Sequence, residues 1–249
     1  MQLVESYITI HDQGILLECE ANGQFSNLSS YKYLFVGPRA IDQLSEDVLA
    51  KTIVCRNYSP NVEHVPQFYD FTSWYVLAKH DLMQSKYALC LQYDMTVIDP
   101  FFEEKCIHAL ATNPGMIAFV TAYPQNWMLQ IPEFEETYRR GLAVKGMSME
   151  MMGDFPQWPC TQGTAWRSAA LKDFMLWFEP LFEVFMNHTF AGHLAERMVK
   201  PYSFLTHPEQ YIGGMIQHNS QDCHGTGAWM RGDMDLYNRR SQEFMCPPR

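Results

Sequence analysis

The amino-acid sequence predicts an α/β fold with a mostly parallel central sheet and helices packed on both faces. Three observations carry that prediction. Apolar runs of strand length recur at residues 31–36, 52–55, 87–93 and 116–120, and segments of helical period fill the gaps between them, the alternation that builds β-α-β units. The first three runs stop at turn or polar residues, Gly37-Pro38, Arg56-Asn57 and Asp94, so the strand ends present polar groups along one edge. Apolar residues make up 47% of the 249 and aromatics 14%, and no low-complexity tract, Gly/Ser linker or repeat divides them. That composition predicts one packed domain over 1–249.

In chain order, the first forty residues give no clear assignment until Tyr31-Lys32-Tyr33-Leu34-Phe35-Val36, a buried strand halted by Gly37-Pro38. Ile41 to Lys51 reads as a short helix and Thr52-Ile53-Val54-Cys55 as a second strand. Phe68, Phe71, Tyr75 and Ala78 fall at helical spacing, which predicts an amphipathic helix from about Pro66 to Lys86. Tyr87 to Tyr93 is the third strand, ending at Asp94. Asp99-Pro100 starts a helix, with an Asp cap, Pro in the first turn and Glu103 and Glu104 near the positive end, running to about Ala111. Met116 to Val120 is the fourth strand. Residues 141–167, rich in Gly, Met, Trp and Pro, read as a long active-site loop. Ser168 is placed to cap a helix with Leu171, Phe174, Met175, Phe178, Leu181, Phe182 and Phe185 on its apolar face, kinked or split at Pro180. A further helix covers roughly Phe190 to Val199, and the tail from Tyr211 is Gly-rich and polar.

The formal net charge is −10, with no basic run longer than a pair. Affinity for nucleic acid rests on neutralising phosphates, so a nucleic-acid partner is not expected, whereas a small anion in a locally positive pocket is compatible. The first twenty residues lack a basic region followed by an apolar core, and no stretch approaches the roughly 18 apolar residues of a membrane span. A cytoplasmic protein with no membrane span is the expectation. The seven cysteines form no CxxC pair and several lie in apolar runs, where a reduced thiol packs as a small hydrophobe, so no disulfide framework is expected.

Ligands of open α/β sheets bind beyond the carboxyl ends of the strands. That rule singles out Pro38-Arg39, Arg56-Asn57-Tyr58 and Gln92-Tyr93-Asp94. A carboxylate closing an apolar strand is costly unless it meets a cation or a hydrogen-bond donor. Asp94 therefore either binds a divalent cation, Mn2+ or Mg2+, that bridges to a diphosphate, or caps the turn leading to Asp99-Pro100.

The run Phe68-Tyr69-Asp70-Phe71-Thr72-Ser73-Trp74-Tyr75-Val76-Leu77-Ala78-Lys79-His80, followed by Tyr87 to Asp94, resembles the core of GT-A fold glycosyltransferases and is most similar to those of the capsular-polysaccharide type. Their helix pattern Thr-x-x-Tyr-x-x-x-Lys-Asn is matched by Thr72, Tyr75 and Lys79, with His80 in place of Asn. Gly192-His193-Leu194-Ala195-Glu196-Arg197-Met198 resembles the Gly-Tyr-Leu-Ala-Glu-Arg-Leu helix of the same group. Where such enzymes commonly carry Asp-x-Asp, this chain has Gln92-Tyr93-Asp94, with one carboxylate. The resemblance implies a Rossmann-like GT-A fold with a nucleotide-binding half over about 1–125 and an acceptor half over about 126–249. It implies a nucleotide-sugar donor, UDP-linked by the habit of the group, and a glycan or glycoconjugate acceptor. Donor contacts would come from Pro38, Arg39, Asn57, Thr72, Tyr75, Lys79, Gln92, Tyr93, Asp94 and Arg197.

Metal-dependent members of the group often return a C-terminal histidine to the ion, and His218 or His224 would fill that place; the same stretch also reads as a polar surface loop. An inverting transfer needs a carboxylate to deprotonate the acceptor hydroxyl. Glu196, off the apolar stripe of its helix, is the candidate and Asp154 the runner-up, with a Glu196–Arg197 ion pair as the competing reading. Trp158 and Trp166 are candidate acceptor platforms, although core packing is the commoner fate of Trp. Two other functions stay open. A sugar-nucleotide nucleotidyltransferase lacks here the Gly-rich basic loop expected after the first strand, and a catalytically inactive sugar-binding module would accommodate the unusual Gln92-Tyr93-Asp94.

Overall fold

Strand β1 (Val4–Ile10) lies inside the sheet, flanked by strands on both sides, and all seven of its residues are buried. The computed structural model describes residues 3–58, 68, 70–113, 115–119, 121–122, 127–152, 158–159, 161 and 163–218, with the backbone alone for 121–122, 127–128, 158 and 217–218. β2 (Tyr31–Phe35) and β4 (Tyr87–Gln92) flank β1 in parallel, and β3 (Thr52–Val54) adds in parallel beyond β2. β9 (Gly163–Arg167) runs antiparallel between β4 and β6 (Ile117–Ala118), and β10 (Gln210–Tyr211) pairs in parallel with β6. The seven-stranded order is β3-β2-β1-β4-β9-β6-β10, with β9 alone reversed among the described strands of this sheet. Two short antiparallel ribbons complete the strands: β5 (Met95–Val97) with β11 (Ile216–His218), and β7 (Thr121–Ala122) with β8 (Trp158–Pro159).

Side chains alternate across β1, so Tyr7 enters one core layer while Ile8 and Ile10 enter the other. The first layer is closed by α3 (Asp70–Lys79), α5 (Pro132–Val144), α7 (Ser168–Phe178), α8 (Leu181–Phe185) and α9 (Ala191–Leu205), with the short α6 (Met149–Met152) beside them. The second is closed by α1 (Gln13–Ala21), α2 (Glu46–Ala50) and α4 (Phe102–Thr112). This is the Rossmann-like α/β arrangement, mostly parallel with helices on both faces, that the strand-helix alternation predicts. No helix among the described residues is long and apolar enough to cross a membrane.

Several elements differ from the sequence reading. β1 carries Glu5 inside the sheet, where its carboxylate accepts from the Tyr7 hydroxyl at 2.7 Å and pairs with Lys32 at 3.3 Å. A buried charge whose counter-ion lies on another strand leaves no period to read. The third-strand helix is shorter than Pro66–Lys86: Asp81 adopts a left-handed φ of 54°, and the Leu82 N–H reaches back to the Leu77 carbonyl, which ends α3 by a Schellman turn. Asp99 acts one turn before α4, accepting from the Phe101 N–H at 2.8 Å. Ser168 does not cap α7, because its hydroxyl is buried and bonds no described residue. The expected loop over 141–167 instead contains the end of α5, α6, β8 and the central strand β9. Pro180 does split the following helix, into α7 and α8.

Gly141 marks the closest approach of α5 to α8, since a Cβ there would lie 2.5 Å from Cζ of the buried Phe185 ring. Gly141→Ala gains about 1 kcal/mol of helix propensity but incurs overpacking of about 1–3 kcal/mol. The expected result in urea unfolding is a net loss of stability that Phe185→Leu in the same chain restores. A more stable Gly141→Ala protein would contradict this packing.

Candidate functional site

The carboxyl ends of β1, β2, β3 and β4 lie side by side, so the residues that follow them share one crevice. After β1, Asp12 caps α1: Oδ1 accepts the N–H groups of Gly14 at 2.8 Å and Ile15 at 3.2 Å, and Oδ2 accepts from Arg39 at 2.7 Å. The Ile15 N–H, with Arg39 and Gly14, holds the Asp12 carboxyl below its ordinary range despite some burial. His11 meets Tyr93 edge to face at 5.3 Å, and burial together with the nearby Arg39 pushes its pKa down, which favours the neutral ring. After β2, Gly37 takes a φ of 91°, a conformation that favours glycine, and Arg56 donates to the carbonyls of Gly37 at 3.0 Å and Arg39 at 2.8 Å. Pro38 and Asn57 are exposed at the rim of this crevice. His11 and Asp12 escaped the sequence reading because β1 did; an Asp directly before the helical stretch from Gln13 was the available signal.

The turn after β4 is clamped from α1's side. Gln24 Nε2 donates to the Tyr93 carbonyl at 2.5 Å and the Met95 carbonyl at 2.8 Å, bracketing the half-buried Asp94. The β5–β11 register sets the backbone of His218 opposite Met95, one residue from Asp94.

Asp70, the first residue of α3, joins this turn and was not singled out in the sequence. It is 5% exposed, its Oδ2 accepts from Gln92 Nε2 at 2.5 Å, and its Oδ1 has no hydrogen-bond partner among the described residues. Burial pushes its pKa up to about 7; Gln92 and Thr9 oppose the rise, and the negative charges of Asp94 and Glu196 add to it. An acid at a helix start looks like ordinary dipole complementation, and its signal was the apolar run Phe68 to Val76 around it.

Glu196 is 13% exposed in its side chain and forms the ion pair with Arg197 that the sequence left as one of two readings. Its Oε2 accepts from Arg197 Nη1, its Oε1 accepts from the Thr161 N–H at 3.0 Å, and His193 stands 3.8 Å away. Burial alone would raise this carboxyl, but Arg197, His193 and the Thr161 N–H outweigh it and hold the pKa at about 2. Arg197 is itself buried, and its Nε has no partner among the described residues.

The other candidates are dispersed. Tyr75 and Lys79 both bond Glu179 Oε1, at 2.6 and 2.8 Å, so the structure ties them to the α7–α8 junction instead of presenting them to the crevice. Thr72 is buried within α3. Trp166 is not an acceptor platform: it is 1% exposed, stacks on Phe174 at 5.4 Å and donates to Thr164 at 2.9 Å. Trp158 lies in β8, which packs beside α9. Asp154 and His224 lie outside the described residues. Among the described residues no group of three or more His, Cys, Asp or Glu side chains converges as a metal cage.

No protein-family model and no curated protein sequence matches the chain. Solved structures do resemble it. The bifunctional glycosyltransferase WbbM matches with a TM-score of 0.52 at 14% identity over 89% of this chain, which spans 46% of WbbM's length. Glucosyl-3-phosphoglycerate synthase from Mycobacterium tuberculosis, in complex with Mn2+ and UDP-glucose, matches with a TM-score of 0.46 at 11% identity, covering 96% of this chain and 79% of that one. Galactosyltransferase LgtC, in complex with donor and acceptor sugar analogues, matches with a TM-score of 0.45 at 10% identity, covering 95% and 96%. The likeness to WbbM is one of fold, and it agrees with the GT-A resemblance read from the sequence.

The depressed Glu196 carboxyl stabilises the fold fully above its ordinary value of 4.5, and that stabilisation is lost as the pH falls toward about 2. Glu196→Gln should therefore cost about 3 kcal/mol at pH 7, by leaving Arg197 buried without its counter-charge. The gap between the two proteins should narrow between pH 5 and pH 2, roughly the span of the shift. Thermal unfolding across that range checks it, and a pH-independent gap would show that the pair contributes nothing.

Proposed function

We propose that this chain is a glycosyltransferase that moves a sugar from a nucleoside-diphosphate donor, a UDP-sugar in the first instance, to a hydroxyl of a glycan or glycoconjugate. The observation that carries the reading is the end of β4, where a carboxylate closes an apolar strand beside the ends of β1, β2 and β3. The sequence resemblance around Thr72 to Asp94 and the fold shared with a glycosyltransferase support the same reading. Polysaccharide assembly in the cytoplasm is the setting we propose for it.

In this reading the base and ribose lie over the ends of β1 to β3, among His11, Arg39, Arg56 and Asn57, and the diphosphate approaches Asp94. The donor set fits a divalent cation in one way. Asp94 supplies one carboxylate, the diphosphate supplies further oxygens, and the returning β11 brings His218 to the same turn; hard cations are commonly held by one or two carboxylates plus substrate phosphates. Such an ion would neutralise charge on the departing diphosphate. The chain's own residues prepare the site: Gln24 fixes both carbonyls flanking Asp94, and Glu196 ties Thr161, and with it the stretch after Trp158, to α9. A carboxyl at about 2 is ionised but weakly basic, so these bonds suit Glu196 to holding the acceptor side. We assign acceptor deprotonation in an inverting reaction to Asp154 or Glu196, and a retaining reaction needs neither. Turnover of Glu196→Gln at pH 7.5, under conditions where it stays folded, separates them: about a hundredfold loss assigns the base to Glu196, and near-normal turnover assigns it to Asp154 or to a retaining course.

Asp94→Asn tests the donor site. Calorimetry should find UDP binding in the presence of Mn2+ weakened at least tenfold, and release of sugar from a UDP-sugar should fall by about a hundredfold, with the circular dichroism unchanged. Wild-type protein that binds no nucleoside diphosphate at millimolar concentration would overturn the proposed function. A chelator without effect on the wild type would remove the metal from it.

A further inference from the structure

We propose that His193 and Glu196 act together on the acceptor, the ring of His193 taking the hydroxyl proton on Nε2 while the Glu196 carboxylate holds Nδ1 behind it. The inference rests on the glycosyltransferase reading above and deepens its Glu196 branch, by giving that carboxylate a partner that touches the acceptor. It starts from a departure in the sequence: the helix that Gly192 to Met198 resembles carries Tyr where this chain has His193. On α9 the two residues are three apart, a spacing that sets side chains on one face. Nδ1 of His193 stands 3.8 Å from Oε2 of Glu196.

Exposure and charge divide the labour between them. The His193 side chain is 43% exposed and that of Glu196 13%, so the ring reaches solvent where the carboxylate does not. Glu196 is fixed at both oxygens, Oε1 by the Thr161 N–H at 3.0 Å and Oε2 by Arg197 Nη1. A carboxylate so bound is a weak base, with its pKa held at about 2, and it stays ionised when a proton arrives beside it. It suits orienting a ring and balancing its charge better than abstracting a proton itself. Imidazole is the stronger base, and the hydrogen bond made by one ring nitrogen decides which nitrogen accepts. With Nδ1–H toward Glu196, Nε2 keeps its lone pair for an incoming hydroxyl. Contacts of this kind are often long before substrate arrives and tighten once it is bound.

The pair also lies where an acceptor would approach the donor. The negative charge of Glu196 reaches Asp70, and Gln92 of β4 bonds Asp70 at 2.5 Å, which sets this part of α9 beside the strand end that leads to Asp94. In the transfer, the acceptor oxygen bonds the anomeric carbon as its O–H bond breaks and the proton passes to Nε2. The bond from the anomeric carbon to the diphosphate oxygen breaks, and its electron pair leaves on the nucleoside diphosphate.

Two experiments on the intact chain test this. NMR of protein carrying nitrogen-15 histidine, at pH 8.5, should find the His193 ring proton on Nδ1. A proton on Nε2 overturns the proposal whether or not any donor is used. Hydrolysis of UDP-glucose, UDP-galactose and UDP-N-acetylglucosamine, with water as the acceptor, supplies the second reading. In His193→Gln, turnover should fall about a hundredfold, while calorimetric affinity for UDP with Mn2+ and the melting temperature stay at wild-type values. Imidazole added to His193→Ala should recover about tenfold of the loss. Near-normal turnover in His193→Gln, or a released sugar of retained configuration, overturns the base role while leaving the donor-site reading standing. A loss matched by equal losses of UDP affinity or melting temperature, or one that imidazole does not relieve, makes His193 structural and overturns the proposal. If the wild type neither binds UDP nor hydrolyses any of the three donors, the donor-site reading falls and the pair's role falls with it.

Discussion

Desolvation of carboxylates at the carboxyl edge of the sheet governs how this chain is arranged. Among the described residues, several other buried or half-buried acids are met by partners. Glu5 is met by Tyr7 and Lys32, Glu20 by Tyr31, Tyr33 and Lys51, and Glu209 by Lys200 and Ser203. These clusters leave nothing for a ligand to do, and each one fastens secondary-structure elements together. At the end of β4 the pattern changes. Asp70 and Arg197, both buried, each keep a polar atom without a described partner. Buried groups left incomplete are rare in folded proteins and concentrate where a ligand or a reaction completes them.

The aromatic packing behind the site explains why those incomplete groups can be held in place. Trp166 on β9 stacks on Phe174 of α7 and meets Trp74 of α3 at 6.4 Å, while Phe71 of α3 packs on Trp74 and Phe178 at 5.2 Å each. These rings lock α3 against the α7 layer over β4 and β9, and α3 delivers Asp70 to Gln92. Tyr75 and Lys79 extend the same contact through Glu179. Residues that look like ligand contacts in the sequence thus serve as the rigid backing of a residue that does not, and preorganisation of a site depends on such backing.

How much was legible follows from where each signal lies. β2, β3, β4 and α4 were readable because their apolar periods and stop residues are local. β1 was not, because Glu5 and Ser6 break the pattern and the cation that pairs with Glu5, Lys32, lies on another strand. β9 was not, because Gly163-Thr164-Ala165-Trp166-Arg167 is short, sits among Gly, Trp and Pro residues, and becomes a strand only through β4 and β6 on either side. At the site, Asp94 and the Glu196–Arg197 pair stood out because each sits at a recognisable place on its element. Asp70 did not, since a helix-start acid has an ordinary explanation until its depth and its bond to Gln92 are known.

Shape alone would point elsewhere. Among the described residues, a cavity of about 290 Å³ opens at the opposite, amino-terminal edge of the parallel strands, lined by Met116, Arg167, Asp173, Tyr202 and His207 among others. Its polar groups are largely engaged. The Arg167 guanidinium donates to the carbonyls of Leu110 and Ala111, which closes the end of α4, and the Ser203 hydroxyl at its margin bonds the Lys200 carbonyl and Glu209. A ligand entering there would have to displace these bonds or forgo polar contact, and either choice weakens binding. The carboxyl edge above β4 presents the reverse balance: its scaffold bonds, from Gln24, Arg56 and Thr161, are made to backbone or from backbone, and polar atoms of Asp70 and Arg197 keep no partner among the described residues. Binding chemistry follows unsatisfied groups held by a satisfied frame, and that criterion points to the edge carrying Asp70 and Arg197.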